Sequence, residues 1–221
     1  MNFAHASQGL SHAILMLNNL TQVNNTCRSP AEKSISWNKR KPGIQKNIYY
    51  AIEYQYLLDN QQYSLLLNDG SFFQFYFEFD KKDKLISGRL AYYPKPVNTN
   101  HDVGSLLDAA EGAMDRSDGD LYNHLFNWVE LLETDIGKPA NTSHVRFDYD
   151  ANVKSHSKSH MQFGAIQEFR IPSSGFPLPL AFVELCASLT IGLAAIEQGH
   201  LVFAKANRLN LPKNTELIYL S

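Results

Sequence analysis

The stretch 72–79 reads FFQFYFEF, and it leaves little freedom about what the chain around it can be. Alternate positions of an extended strand share a face. Phe73, Phe75, Phe77 and Phe79 therefore line one side, and Gln74 and Glu78 the other. A helix would scatter the same four rings around its circumference. Period two extends over 49–93, where YYAIEYQYLL, QYSLLL, FFQFYFEF and LISGRLAYY read as four strands. Between them lie DN at 59–60, NDG at 68–70 and KKDK at 81–84, each suited to a hairpin turn. Pro94 and Pro96 close the run. The expectation is an antiparallel meander with one strongly buried face.

Around this meander the period changes. In residues 8–22, Ile14, Leu15, Leu17 and Leu20 form a helical stripe. The next segment, CRSPAEKSISWNKRKPGIQKN, holds Pro30, Pro42 and Gly43 and reads as loop or short helix. VGSLLDAAEGAM and DLYNHLFNWVELLE are amphipathic helices, with Asp118 near an N-cap and Gly137 and Pro139 as stops. Alternation returns at 144–150, and 160–171 reads as its antiparallel partner, with Met161, Phe163 and Phe169 facing the core. A long helix from about 180 to 206 should pack on the sheet, followed by a short terminal strand in NLPKNTELIYLS. No repeat or linker divides the chain. Residues 1–221 thus form one α+β domain. Its sheet lies near 49–93 and 144–171, and its helices near 8–22, 103–133 and 180–206.

Charge restricts the partners. The formal net charge is −2, which gives no support to a large nucleic-acid footprint. Its distribution is uneven: residues 28–46 carry six Lys or Arg against one Glu, and 98–135 carry nine Asp or Glu against Arg116. Either segment can simply be a solvated face. The most apolar run, 178–196, contains Glu184, Ser188, Thr190 and Gly192, which suits a buried helix better than a membrane span. The N-terminal residues MNFAHASQGLSHAILMLNNL contain no Lys or Arg, so the charged start of a secretory signal is missing. A cytoplasmic protein with no membrane partner is expected.

The chemistry concentrates in 143–164, SHVRFDYDANVKSHSKSHMQFG. His144, Arg146, Asp148 and Asp150 share one strand face, and Val145, Phe147 and Tyr149 the other. An antiparallel return adds His160, Gln162 and Arg170 to the polar face, and His156 lies in the connecting loop. Imidazoles titrate near neutrality, so His156 and His160 can serve as base and acid. Asp148 can fix an imidazole tautomer, and Arg146 can hold phosphate oxygens. Gln162, Arg170, Trp37, Lys39 and Arg40 are the candidate substrate contacts, with Trp37 available for base stacking or for anchoring its loop. This set describes metal-independent RNA cleavage without a cofactor, RNA being required for its 2′-hydroxyl. The same residues admit other readings. His156, His160 and Asp148 could ligate zinc or manganese. A polar sheet face with mutually neutralising charges is also ordinary. A third reading is a non-enzymatic module of a defence or toxin–antitoxin system, in which the acidic helices bind a cognate protein.

The segments RFDYD, SHSKSH, MQFG and FRIPSSGFPLPLAFVE, with SGRLAYYPKP upstream, resemble an uncharacterised bacterial family of unknown function. Its members share an Arg-x-Asp-Tyr strand, a Ser-His…His-x-x-x-Gly region and an Arg-Ile-Pro segment before a helix. The cluster is also distantly similar to TumE-type toxins, which carry an Arg-Tyr-Asp strand followed by histidines. That likeness implies an RNA-directed toxin or defence effector in which Arg146, Asp148, His156 and His160 take the matching places. Here Phe147 stands between the Arg and the Asp, and Ser and Lys separate the histidines.

Overall fold

The phenylalanine strand sits in the middle of a nine-stranded antiparallel sheet. The computed structural model describes residues 1–41, 50–96, 103–133, 143–164, 170–189 and 193. The strands are β1 (Thr21–Asn24), β2 (Thr26–Ser29), β3 (Ser34–Trp37), β4 (Leu65–Leu67) and β5 (Phe72–Phe79). They continue as β6 (Leu85–Tyr93), β7 (Val145–Asp150), β8 (Ser159–Phe163) and β9 (Arg170–Pro172). The order is β1-β4-β5-β6-β7-β8-β9, with β3 paired to the far end of β5 and β2 to β3. Five helices accompany them among the described residues: α1 (Phe3–Met16), α2 (Tyr50–Asp59), α3 (Val103–Asp115), α4 (Gly119–Glu133) and α5 (Pro179–Leu189). This is an α+β fold, as the alternating patterns indicate.

The two faces of the sheet are covered differently, and the difference makes the site. On one face Phe73, Phe75, Phe77, Phe79, Leu90 and Phe147 are all buried, under α1 and α5. Helix α1 offers Ala6, Leu10 and Ala13 at helical spacing, and Leu17 continues the stripe just past its end. On the opposite face a smaller cluster holds Tyr50, Tyr54, Tyr63, Phe72, Ala91 and Tyr93. Among the described residues, α2 covers one end of that face.

Several elements differ from expectation for identifiable reasons. YYAIEYQYLL is helix α2, not a strand. Tyr50, Glu53 and Tyr54 are buried at a spacing of three and four, so helical and strand templates both fit this run. The DN at 59–60 is consequently a helix exit, with Gln61 in the left-handed region, and no hairpin. Helix α1 starts at Phe3, where the Asn2 side chain accepts a hydrogen bond from the His5 N–H, and stops at Met16. A 3₁₀ turn at Asn18–Leu20 then feeds strand β1. The segment read as loop contains β2 and β3. The described part of the C-terminal helix, α5, has 11 residues. The remainder of the expected 180–206 helix lies outside the described residues, Leu193 excepted. So do the terminal strand, Phe169, Gly137 and Pro139.

The hairpin turns at 68–70 and 80–84 do form, the second tied by Asp80, whose carboxylate accepts from the Lys84 N–H at 2.8 Å. Helices α3 and α4 pack chiefly on each other. Asp118 caps α4 by accepting from the Leu121 N–H at 3.1 Å. Cys27 is exposed on β2 and Cys186 buried in α5, so the two do not form a disulfide.

Candidate functional site

Beyond the end of α2, the polar face of the sheet forms a cavity among the described residues. Register sets the residues there in rows. Tyr76, Arg89, Asp148 and His160 are successive cross-strand partners on β5, β6, β7 and β8. In the adjacent row Arg146 faces Gln162, and Gln162 faces Arg170. The loop after β7 returns His156 beside His160, ring centroids 4.9 Å apart. These side chains surround a cavity of about 280 Å³, also lined by Arg40, Ser87, Asp150 and Lys158. Five Lys or Arg therefore line it against Asp148 and Asp150, inside a molecule whose net charge is negative.

Asp148 organises the cations. Its Oδ1 accepts from Arg89 Nε at 2.9 Å, and its Oδ2 from Arg146 Nε at 2.7 Å. Burial alone would raise this carboxyl, but the two guanidinium groups hold it down at about 2. Arg146 is buried, and its Nη2 donates to Gln162 Oε1. Its orientation is thus fixed from two strands, and among the described residues its remaining N–H groups have no hydrogen-bond partner. Burial works against the charge on Arg89, yet Asp148 raises its pKa overall.

His160 is buried on the cavity wall. Its Nδ1 lies 3.3 Å from the Ser157 carbonyl, to which an N–H donates. That bond selects the tautomer with Nε2 available to accept a proton. Nε2 is 3.9 Å from Asp148 Oδ2. Burial lowers the His160 pKa, partly opposed by Asp148, so the imidazole is neutral near pH 7 and its cation still has a carboxylate to face. His156 is exposed, and its Nδ1 meets the Ser155 hydroxyl at 3.0 Å. A buried neutral imidazole and an exposed one can exchange two protons with an anion that a fixed guanidinium would hold.

The structure gathers Arg146, Asp148, His156, His160, Gln162, Arg170 and Arg40 at one cavity. It places others elsewhere. Trp37 is buried, and its indole N–H donates to Gln62 Oε1 at 3.2 Å; it anchors β3 and does not line the cavity. Lys39 is exposed outside it. His144 leaves the polar row for the roofed end, packed on Tyr93 with Nδ1 3.3 Å from Glu53 Oε2. Among the described residues, no three of His, Cys, Asp and Glu converge to hold a metal ion. Each oxygen of Asp148 accepts from an arginine.

Comparison with known families places this site in context. A family model described as "Uncharacterized conserved protein (DUF2290)" matches residues 17–189, well over half of the chain. The chain belongs to that family. No curated protein and no solved structure matches it. The span matched to DUF2290 contains every residue that lines the cavity. In this DUF2290 chain, sequence reasoning misses Arg89, Tyr76 and Lys158. Arg89 and Asp148 are 59 positions apart, and only the β6–β7 register makes them neighbours. One signal was available: Arg89 lies on the polar side of LISGRLAYY, a strand otherwise rich in apolar residues.

Proposed function

We propose that this protein is a metal-independent endoribonuclease. The observation that carries the reading is the pairing of His160 with His156 beside Arg146, in a cavity where cations outnumber anions. His160 Nε2 takes the proton of a 2′-hydroxyl, and the 2′-oxygen forms a bond to phosphorus. The bond from phosphorus to the 5′-oxygen breaks, and His156 as imidazolium gives that oxygen its proton. The products are a 2′,3′-cyclic phosphate and a 5′-hydroxyl. Arg146, fixed by Asp148 and Gln162, stabilises the extra negative charge on the phosphorane. The likeness of RFDYD and SHSKSH to TumE-type toxins supports the same role, as a toxin or defence effector.

The test is incubation of mixed RNA with the protein in excess chelator. Cleavage should persist, leave 2′,3′-cyclic phosphate ends, spare DNA, and fall by about a hundredfold or more in His160→Ala. Absence of cleavage by wild type, or equal cleavage by the variant, overturns the reading.

A second reading, a protein-binding module of a defence or toxin–antitoxin pair, rests on the α3–α4 hairpin. Met114 and Trp128 are each more than half exposed there, and Leu121 and Phe126 nearly two-fifths. Asp108, Glu111, Asp115, Asp120 and Glu130 lie on the same two helices, with Arg116 between them. Exposed apolar side chains on helices that carry mostly one sign of charge fit a partner with a basic, partly apolar surface.

A further inference from the structure

We propose that the Tyr76–Arg40 stack is a nucleobase subsite, so that the ligand of this cavity is single-stranded RNA lying across β5 to β8. The inference rests on the nuclease reading and adds the part of the substrate that its histidines do not touch. Tyr76 belongs to the same cross-strand row as Arg89, Asp148 and His160. Strands are spaced by about 4.8 Å, so the ring stands about 10 Å from Asp148 along the row. A nucleotide strand running perpendicular to the strands would thus meet an aromatic platform first and the imidazoles last.

The platform is built and held. The Tyr76 hydroxyl donates to Glu78 Oε2 at 2.6 Å, which pins the ring from its outer end. Burial and that bond push its pKa up to about 12, so it stays neutral. Arg40 lays its guanidinium 3.6 Å above the ring centroid. Among the described residues Arg40 makes no ion pair, unlike Arg89 and Arg146. Its flat cation lies on a flat ring at the rim of the cavity, with the Trp37 ring centroid 5.8 Å away as well. Bases stack on both kinds of surface, and the guanidinium also attracts the neighbouring phosphate.

The experiment uses the full chain and a short oligodeoxyribonucleotide, which lacks the 2′-hydroxyl and so is bound without being cut. Its affinity is compared by fluorescence anisotropy with that of the same strand made abasic throughout. Wild type should prefer the base-bearing strand by about tenfold. Tyr76→Ala should erase that preference while leaving abasic binding within about twofold, Arg40→Ala should erase it while weakening both strands, and Tyr76→Phe should keep it. Equal binding of both strands by wild type, no binding of either, or a preference retained in Tyr76→Ala and Arg40→Ala overturns the subsite. Should Tyr76→Ala fail to fold, wild type and Arg40→Ala decide. Base-dependent binding without RNA cleavage sinks the nuclease reading alone. RNA cleavage with base-independent binding sinks the subsite alone.

Discussion

Asp148 does at the scale of one residue what the whole cavity requires: it bridges two arginines and orients both. Its carboxyl is depressed from 3.8 to about 2. A group with a lowered folded pKa contributes stability above its unfolded pKa and loses it as pH falls toward the folded one. The contribution is on the order of 2 kcal/mol, complete above about pH 4 and gone near pH 2. Urea melts of wild type and Asp148→Asn should therefore converge as pH drops through that window; parallel curves would show that the carboxylate is not what holds the arginines. His160 has the same sign for a different reason, since burial lowers it. The acidic limb of kcat/KM for RNA cleavage should fall below the ordinary histidine value of 6.5. A limb at or above that value would assign the base to another group. Much of this was legible, because a period of two states which side chains share a face. The arginine partner on β6 was not, because register between distant strands has no local signature.

Elements show where the sequence pattern is ambiguous and where it is decisive. FFQFYFEF admits one structure, and the fold obeys it. YYAIEYQYLLD admits two, and the tyrosines of α2 are placed by what they cover: Tyr50 stacks on Tyr93, and Tyr54 on Phe72. Tertiary burial, not local preference, chose the helix. Strand β6 carries a tighter constraint. A Cβ at Gly88 would lie 2.7 Å from the Phe176 ring, which is fully buried between Phe77 and Tyr149. Gly88→Val should cost about 2 kcal/mol in urea unfolding through overpacking. An unchanged midpoint would mean that Phe176 moves freely. Hairpin α3–α4 makes the opposite prediction. Its exposed Trp128 contributes little to the core, so Trp128→Ala should leave stability within about 0.5 kcal/mol. RNA cleavage should also be unaffected, while a complex with a cognate basic partner weakens at least tenfold on co-expression and size exclusion. Loss of cleavage in that variant would tie the hairpin to the catalytic face.

At the scale of the molecule, the sheet separates two tasks. One face is covered by α1 and α5 over a phenylalanine core, and the other carries the polar cavity, with α2 over one end among the described residues. The charge is partitioned in the same way: the net value of −2 conceals five cationic side chains around one cavity. Composition alone argued against a large nucleic-acid footprint, and the geometry shows how a small one remains compatible with it. Subtracting Asp148 and Asp150 leaves an excess of three positive charges, room for about three phosphates. Single-strand binding releases about 0.7 counterions per neutralised phosphate, so log Kd should rise with log salt at a slope of about 2. Arg170→Ala should lower that slope by roughly 0.7 if, as the nuclease reading has it, this residue meets a backbone phosphate and not a base. A slope of 5 or more would instead place the strand along a longer basic path, such as the 28–46 segment, and the cavity would then be only one stop on it. A slope near zero would show that the cavity takes a neutral ligand, and the cations would be there for Asp148 and not for phosphate.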